Sequence, residues 1–161
     1  MKKVFLILVV AFMTLFAKET FSQNLMLNAN THETTVERCA GYFYDNSSTG
    51  NYATSIDRWV TICPPASSAN TRTALTFEEF NIDPSDTVFI YQGVGINAPI
   101  MTTGNNIPYF QNQDLQGLTI MPSLMMNSPC LTLRLVSNGS ATASGWKAKI
   151  ECARDCQFPE A

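Results

Sequence analysis

The residues that could do chemistry in this chain are few and scattered. Asp83 and Asp86 bracket an Asp-Pro-Ser-Asp stretch, Asn138 and Ser140 flank Gly139, and Glu78 adjoins Glu79. Paired glutamates suggest a general acid and base, but neighbours on a strand point to opposite faces, so these two carboxyls cannot share a reacting atom. Nucleophilic catalysis needs a base beside the nucleophile, and the sole histidine, His32, precedes the first strand pattern and reads as solvated. No enzymatic site is expected. Taken alone, Asp-Pro-Ser-Asp reads as a turn whose carboxylates cap local backbone groups, with an oxygen-ligand role as the rival reading. Asn138-Gly139 is likewise a hairpin turn pair. Asn46-Ser47-Ser48 and Asn138-Gly139-Ser140 fit the glycosylation sequon by pattern only.

Five cysteines occur, at positions 39, 63, 130, 152 and 156. His32 has no cysteine at zinc-ligand spacing, so disulfides are the expected use. The first pairing expected is Cys39 with Cys63, closing a loop of about 25 residues worth roughly 3 to 4 kcal/mol in the chain-entropy model. Cys130 is then expected to pair with Cys152, leaving Cys156 over. Cys130 is out of phase with Leu131, Leu133 and Leu135, whereas Cys152 is in phase with Trp146, Ala148 and Ile150, so strict pleat geometry puts the two on opposite faces and keeps Cys156 as a rival partner for Cys130.

Lys2 and Lys3 precede an apolar run from Val4 to Ala17, followed by small polar residues up to Ser22. This reads as a secretory signal peptide over 1–22, cleaved near Ser22/Gln23; about 14 apolar residues are too few to span a bilayer. The mature chain is expected to be secreted or at the cell surface, with no membrane insertion. Its 139 residues carry 7 basic and 12 acidic side chains, a net charge of −5, which argues against a nucleic-acid partner.

The elements that must position these groups read as strands. Residues 23–34 look like a polar leader, and the domain is expected over 35–152, with a tail at 153–161. Strand patterns occupy VERCAGYFYD from Val36, RWVTICPP from Arg58, ALTFEEFNID from Ala74, TVFIY from Thr87 and LTIMPS from Leu118, with a short strand at 98–102. In ALTFEEFNID neither face is cleanly apolar, so the phase shifts at the paired glutamates. The last long stretch, Pro129 to Cys152, has two alternating runs separated by SNGSATAS and reads as an antiparallel hairpin central to the domain. No run has helical period, so the expected fold is all-β, with two sheets burying the short alternating runs between them.

Laid end to end, these pieces resemble the CUB domain, and in particular the CUB-like modules of exported Bacteroidetes-type bacterial proteins. The matching stretches are Cys39 to Asp45, Gly50 to Tyr52, Thr61 to Pro64, Leu75 to Asp83, Ser85 to Gly93, Cys130 to Ser140 and Gly145 to Cys152, in the family's order. The resemblance implies a jelly-roll-like sandwich of two antiparallel sheets that includes the terminal hairpin. It also implies a calcium ion at one end of the sandwich, with Tyr52, Asp83, Asp86, Asn138 and Ser140 falling on the family's ligand positions and no other cofactor. Asn138 replaces the family's acid, and an additional cysteine pair common in the family is missing. By resemblance the function is a non-catalytic extracellular module binding protein or glycan through loops at one end, as in adhesion. Its rivals are an accessory or fragmentary domain of a larger exported hydrolase or adhesin, and a small secreted hydrolase with an unrecognised site.

Overall fold

The computed structural model describes residues 24–154. The apolar leader, its cleavage point and Cys156 lie outside the described residues. In chain order the strands are β1 (Leu25–Met26), β2 (Thr34–Glu37), β3 (Tyr42–Tyr44), β4 (Asp57–Cys63), β5 (Thr71–Asn81), β6 (Thr87–Tyr91), β7 (Thr119–Ile120), β8 (Leu131–Val136) and β9 (Gly145–Arg154). One sheet has the order β1-β3-β9-β5-β7 and the other β2-β4-β8-β6. Every odd-numbered strand is in the first sheet and every even-numbered strand in the second, so each connection crosses from one sheet to the other. The expected all-β two-sheet sandwich is present.

This alternation overturns the terminal hairpin. β8 pairs with β4 and β6, whereas β9 pairs with β3 and β5, so the two runs face each other across the core and share no ladder. Each run alternates because each has one buried face: Leu131, Leu133 and Leu135 come from one side, Trp146, Ala148 and Ile150 from the other. A turn-rich connection reverses the chain equally well within a sheet or between sheets. The sheets are also mixed rather than wholly antiparallel, since β1 runs parallel to β3 and β2 parallel to β4.

Over its described residues, 24–34, the expected leader packs into the fold. Leu25 and Leu27 belong to the hydrophobic core, and Leu27 N donates to the carbonyls of Tyr44 and Asp45. His32 accepts the Trp59 backbone N–H at 3.3 Å and stands edge-on to the Trp59 ring. VERCAGYFYD is two strands, not one, because the chain leaves the second sheet after Glu37 and enters the first at Tyr42.

In β5 the expected phase shift occurs where predicted. Its register against β9 slips between Phe77 and Glu79, so Leu75 and Phe77 before the bulge and Phe80 and Ile82 after it all turn inward. On the outer side of the second sheet, Thr61 and Thr132 are fully buried without belonging to the core. Gly95 N donates to both hydroxyls, and Thr132 Oγ1 donates to the Gly93 carbonyl, so the chain after β6 folds back over that face.

The disulfides follow this topology and correct the expected pairing: Cys39 bonds Cys152 and Cys63 bonds Cys130. β4 and β8 are antiparallel neighbours with Ile62 opposite Leu131, which sets Cys63 opposite Cys130 on the outer, threonine-bearing face at a Cα separation of 4.3 Å. The phase mismatch between Cys130 and the leucines is thus genuine, and the partner lies on the adjacent strand. Cys39, beyond the end of β2, reaches Cys152 on β9 at 4.9 Å and ties the two sheets together.

Candidate functional site

Three connections meet at one end of the sandwich: residues 45–56 between β3 and β4, 82–86 between β5 and β6, and 137–144 between β8 and β9. They bring Tyr52, Asp83, Asp86, Asn138 and Ser140 into one hydrogen-bonded network. Its hub is Asp86, only 1% exposed. Asp86 Oδ2 accepts the Tyr52 hydroxyl at 2.6 Å, and Oδ1 accepts the Asn138 backbone N–H at 2.7 Å. Tyr52 Oη in turn accepts the Asp83 N–H at 3.0 Å. One buried phenol therefore locks the first loop to both acids of the Asp-Pro-Ser-Asp turn.

The outer half of the network is more open. Asp83 Oδ1 accepts the Ser85 N–H at 2.9 Å and the Ser85 hydroxyl at 2.5 Å, the local cap expected of a turn aspartate. Asn138 Nδ2 donates to Ser85 Oγ at 2.5 Å, while Asn138 Oδ1 accepts both the N–H and the hydroxyl of Ser140 at 2.8 Å. Ser85 is thus a bridge between the two turns that its sequence position did not disclose. Gln111 supports the turn from outside, its Nε2 donating to the carbonyls of Pro84 and Asp86.

Electrostatics follow the burial. The Ser85 hydroxyl, and then the Ser85 N–H, hold the Asp83 carboxyl below its ordinary range, so it is anionic at neutral pH. Burial, and then the bond to Asp86, push the Tyr52 phenol above its ordinary range. Tyr52 is therefore a neutral donor whose proton is committed to Asp86, a positioning group more than a cation ligand.

The donor set suits a hard, oxygen-seeking cation only weakly. Calcium accepts carboxylate, amide, hydroxyl and carbonyl oxygens together, and Asp83, Asp86, Asn138 and Ser140 offer the first three kinds. Among the described residues, however, no three His, Cys, Asp or Glu side chains converge as a metal cluster, so two carboxylates carry all the anionic attraction.

Asp45 is a second buried acid at this end, and its role was not legible as function. It is fully buried, with Oδ1 accepting the Ser47 N–H at 2.6 Å and Oδ2 the Trp146 N–H at 2.9 Å. Burial pushes its carboxyl up to about 6 against the pull of those donors. Gly145 stands against it with φ +74°, and a Cβ there would fall 1.7 Å from Asp45 Oδ2. The sequence signal is Asp-Asn-Ser, an acid two residues before the N–H that it caps.

No protein-family model and no curated protein matches the chain. Solved structures do. The full extracellular region of zebrafish Gpr126/Adgrg6 matches at 17% identity and a TM-score of 0.58, over 75% of this chain and 14% of that one. The CUB1-EGF-CUB2 region of human MASP-1/3 matches at 16% identity and a TM-score of 0.56, over 79% of this chain and 46% of that one. The MASP-1 CUB2 domain bound to Ca2+ matches at 17% identity and a TM-score of 0.50, over 73% of this chain and 96% of that one. The chain thus spans less than half the length of the first two. At these identities the likeness speaks for the fold alone, and the fold of this chain is that of a CUB-like β-sandwich.

Proposed function

We propose that this chain is a non-catalytic extracellular interaction module that engages its partner through the loop end carrying Asp83, Asp86 and Asn138. The supporting observation is the convergence of oxygen-bearing side chains from three separate loops on one network. A packed core alone does not require such an arrangement at its rim. Two disulfides agree with an oxidising, exported setting. No helix among the described residues is long and apolar enough to cross a membrane.

In this reading a calcium ion at the loop end would be held by Asp83 and Asp86, with Asn138 and Ser140 supplying neutral oxygens, as the Ca2+-bound state of one structural neighbour encourages. The ion would supply positive charge that pins the three loops together and faces a partner. Tyr52 would orient Asp86. At about 10 mM calcium a site of about 1 mM affinity stabilises the fold by roughly 1.4 kcal/mol. The expected result is a Tm raised by several degrees with calcium and unchanged with magnesium. Asp83→Ala is the informative variant, because the Asp83 carboxyl bonds only within its own turn, to Ser85, and its backbone bond to Tyr52 survives the change, whereas removing Asp86 would strand a buried phenol. A calcium response equal in wild type and Asp83→Ala would overturn the cation assignment. A second reading, that the module works inside a larger exported assembly, is favoured by its matching a fraction of two longer neighbours.

A further inference from the structure

Beside the acid network, on the flank of the same end, lies a cleft of about 450 Å³ between the loop at 47–51 and the outer face of the first sheet. This is within the size range of small-ligand sites, roughly 300 to 1,000 Å³. Its composition is unlike that of an apolar groove. Tyr44, Ser48, Asn51, Glu79, Trp146 and Lys147 are among the residues that line it.

The hydrogen-bonding capacity here is only partly used. Asn51 Nδ2 is spent on Thr142, donating to its carbonyl at 3.1 Å and to its hydroxyl oxygen at 3.3 Å, while Asn51 Oδ1 accepts no hydrogen bond from a described residue. Lys147 is neutralised by Glu78 at 2.7 Å and lies over the Tyr42 ring at 4.5 Å, so it gives the cleft little free positive charge. Glu79 is exposed and forms no ion pair with a described residue. The Trp146 indole Nε1 is the one buried side-chain nitrogen or oxygen without a hydrogen-bond partner among the described residues. That ring belongs to the core beneath the cleft, 2% exposed and packed edge-on against Phe43 at 5.4 Å, so it reports on the cleft from below and does not itself offer the ligand a donor.

These features discriminate between ligand classes. A phosphate or sulfate would need clustered cationic donors, and the one cation here is paired. An apolar ligand would meet mostly amide, hydroxyl and carboxylate groups. A neutral polyhydroxylated ligand suits this lining: its hydroxyls both donate and accept, matching Glu79, Asn51 and Ser48, and its C–H groups suit an aromatic neighbour such as Tyr44. We propose that this cleft is a binding site for a neutral oligosaccharide. The proposal rests on the reading of the chain as an interaction module but not on calcium, since none of the five acid-network residues lines the cleft.

Trp146 supplies the readout, because the chain has only two tryptophans and the other, Trp59, is on β4 of the opposite sheet. In a Trp59→Phe variant, emission reports on Trp146 alone. The experiment titrates that variant with cellohexaose, chitohexaose, maltohexaose and mannohexaose, each to about 10 mM and with EDTA present, so that failure of the cation assignment leaves the result intact. The expected result is a saturable emission change with at least one of the four. Asn51→Ala and Tyr44→Ala are each expected to weaken it about tenfold, the loss expected of one hydrogen bond or one aromatic contact. Circular dichroism and Tm show that the variants are folded. Silence with all four sugars overturns the proposal, as does binding that both folded variants retain at full strength. Binding of a polypeptide that is abolished by Tyr44→Ala but not competed by any sugar would reassign the cleft to a protein ligand and overturn it equally.

Discussion

Asp45 shows how much a single side chain can reveal. Its carboxyl is fully buried beneath a glycine that allows no Cβ, and its folded-state value of about 6 lies above the ordinary 3.8. The native state therefore binds the proton more tightly than the unfolded chain. The stability this confers is complete below about pH 3.8 and is lost as pH rises through about 6, amounting to about 3 kcal/mol. We expect Tm to rise as the pH is lowered from 8 to 5, and Asp45→Asn to flatten that slope whatever its absolute Tm. A wild-type Tm that falls over this interval would show that another group dominates. Gly145→Ala combines a side chain at φ +74° with a contact at 1.7 Å, and should cost about 3 kcal/mol or more. Chemical denaturation measures it, and replacing Asp45 by Gly in the same chain should recover the steric part.

Elements were more legible than their partners. TVFIY reads as a strand because it is apolar, β-branched and bounded by Pro-Ser-Asp and Gln-Gly, and β6 is Thr87–Tyr91. The slip at Glu78-Glu79 was visible because Leu75 and Phe77 are odd while Phe80 and Ile82 are even, and only an extra residue can turn both sets inward. Sheet membership was not visible. Local alternation says that one face of β8 and one face of β9 are buried, yet it carries no information on whether those faces lie side by side or across the core. The disulfide pairing failed for the same reason, since Cys63 and Cys130 are brought together by the β4–β8 register and not by their spacing. Of the site, the five residues drawn from the resemblance do meet, whereas Ser85, Asp45 and the cleft depend on loop conformations that composition does not encode. Non-reducing peptide mapping should recover Cys39 linked to Cys152 and Cys63 linked to Cys130. Replacing Cys63 and Cys130 together by serine should cost about 4 kcal/mol, given the 67-residue separation they span.

For the whole molecule, strict alternation between sheets makes the fold dependent on contacts distant in sequence, including its first few described residues. β1 is two residues long and lies at the sheet edge, which suggests a dispensable element. The side chains of β1 and of the residue after it argue otherwise. Leu25 is 4% exposed and Leu27 0%, and both join the core shared by the two sheets. Burying a leucine contributes about 1.5 to 3 kcal/mol, so the pair contributes about 3 to 6 kcal/mol, a large part of the 5 to 15 kcal/mol typical of a domain. Leu27 also closes the edge by donating its N–H to Tyr44 and Asp45, at the root of the loop that carries Tyr52. A chain beginning at Asn28 should therefore lose most of its stability against urea compared with one beginning at Gln23, and Leu27→Ala alone should cost about 2 to 5 kcal/mol. If the chain from Asn28 unfolds at the same urea concentration as the chain from Gln23, the core is complete without β1 and the domain begins where the alternating pattern first becomes regular, near residue 35.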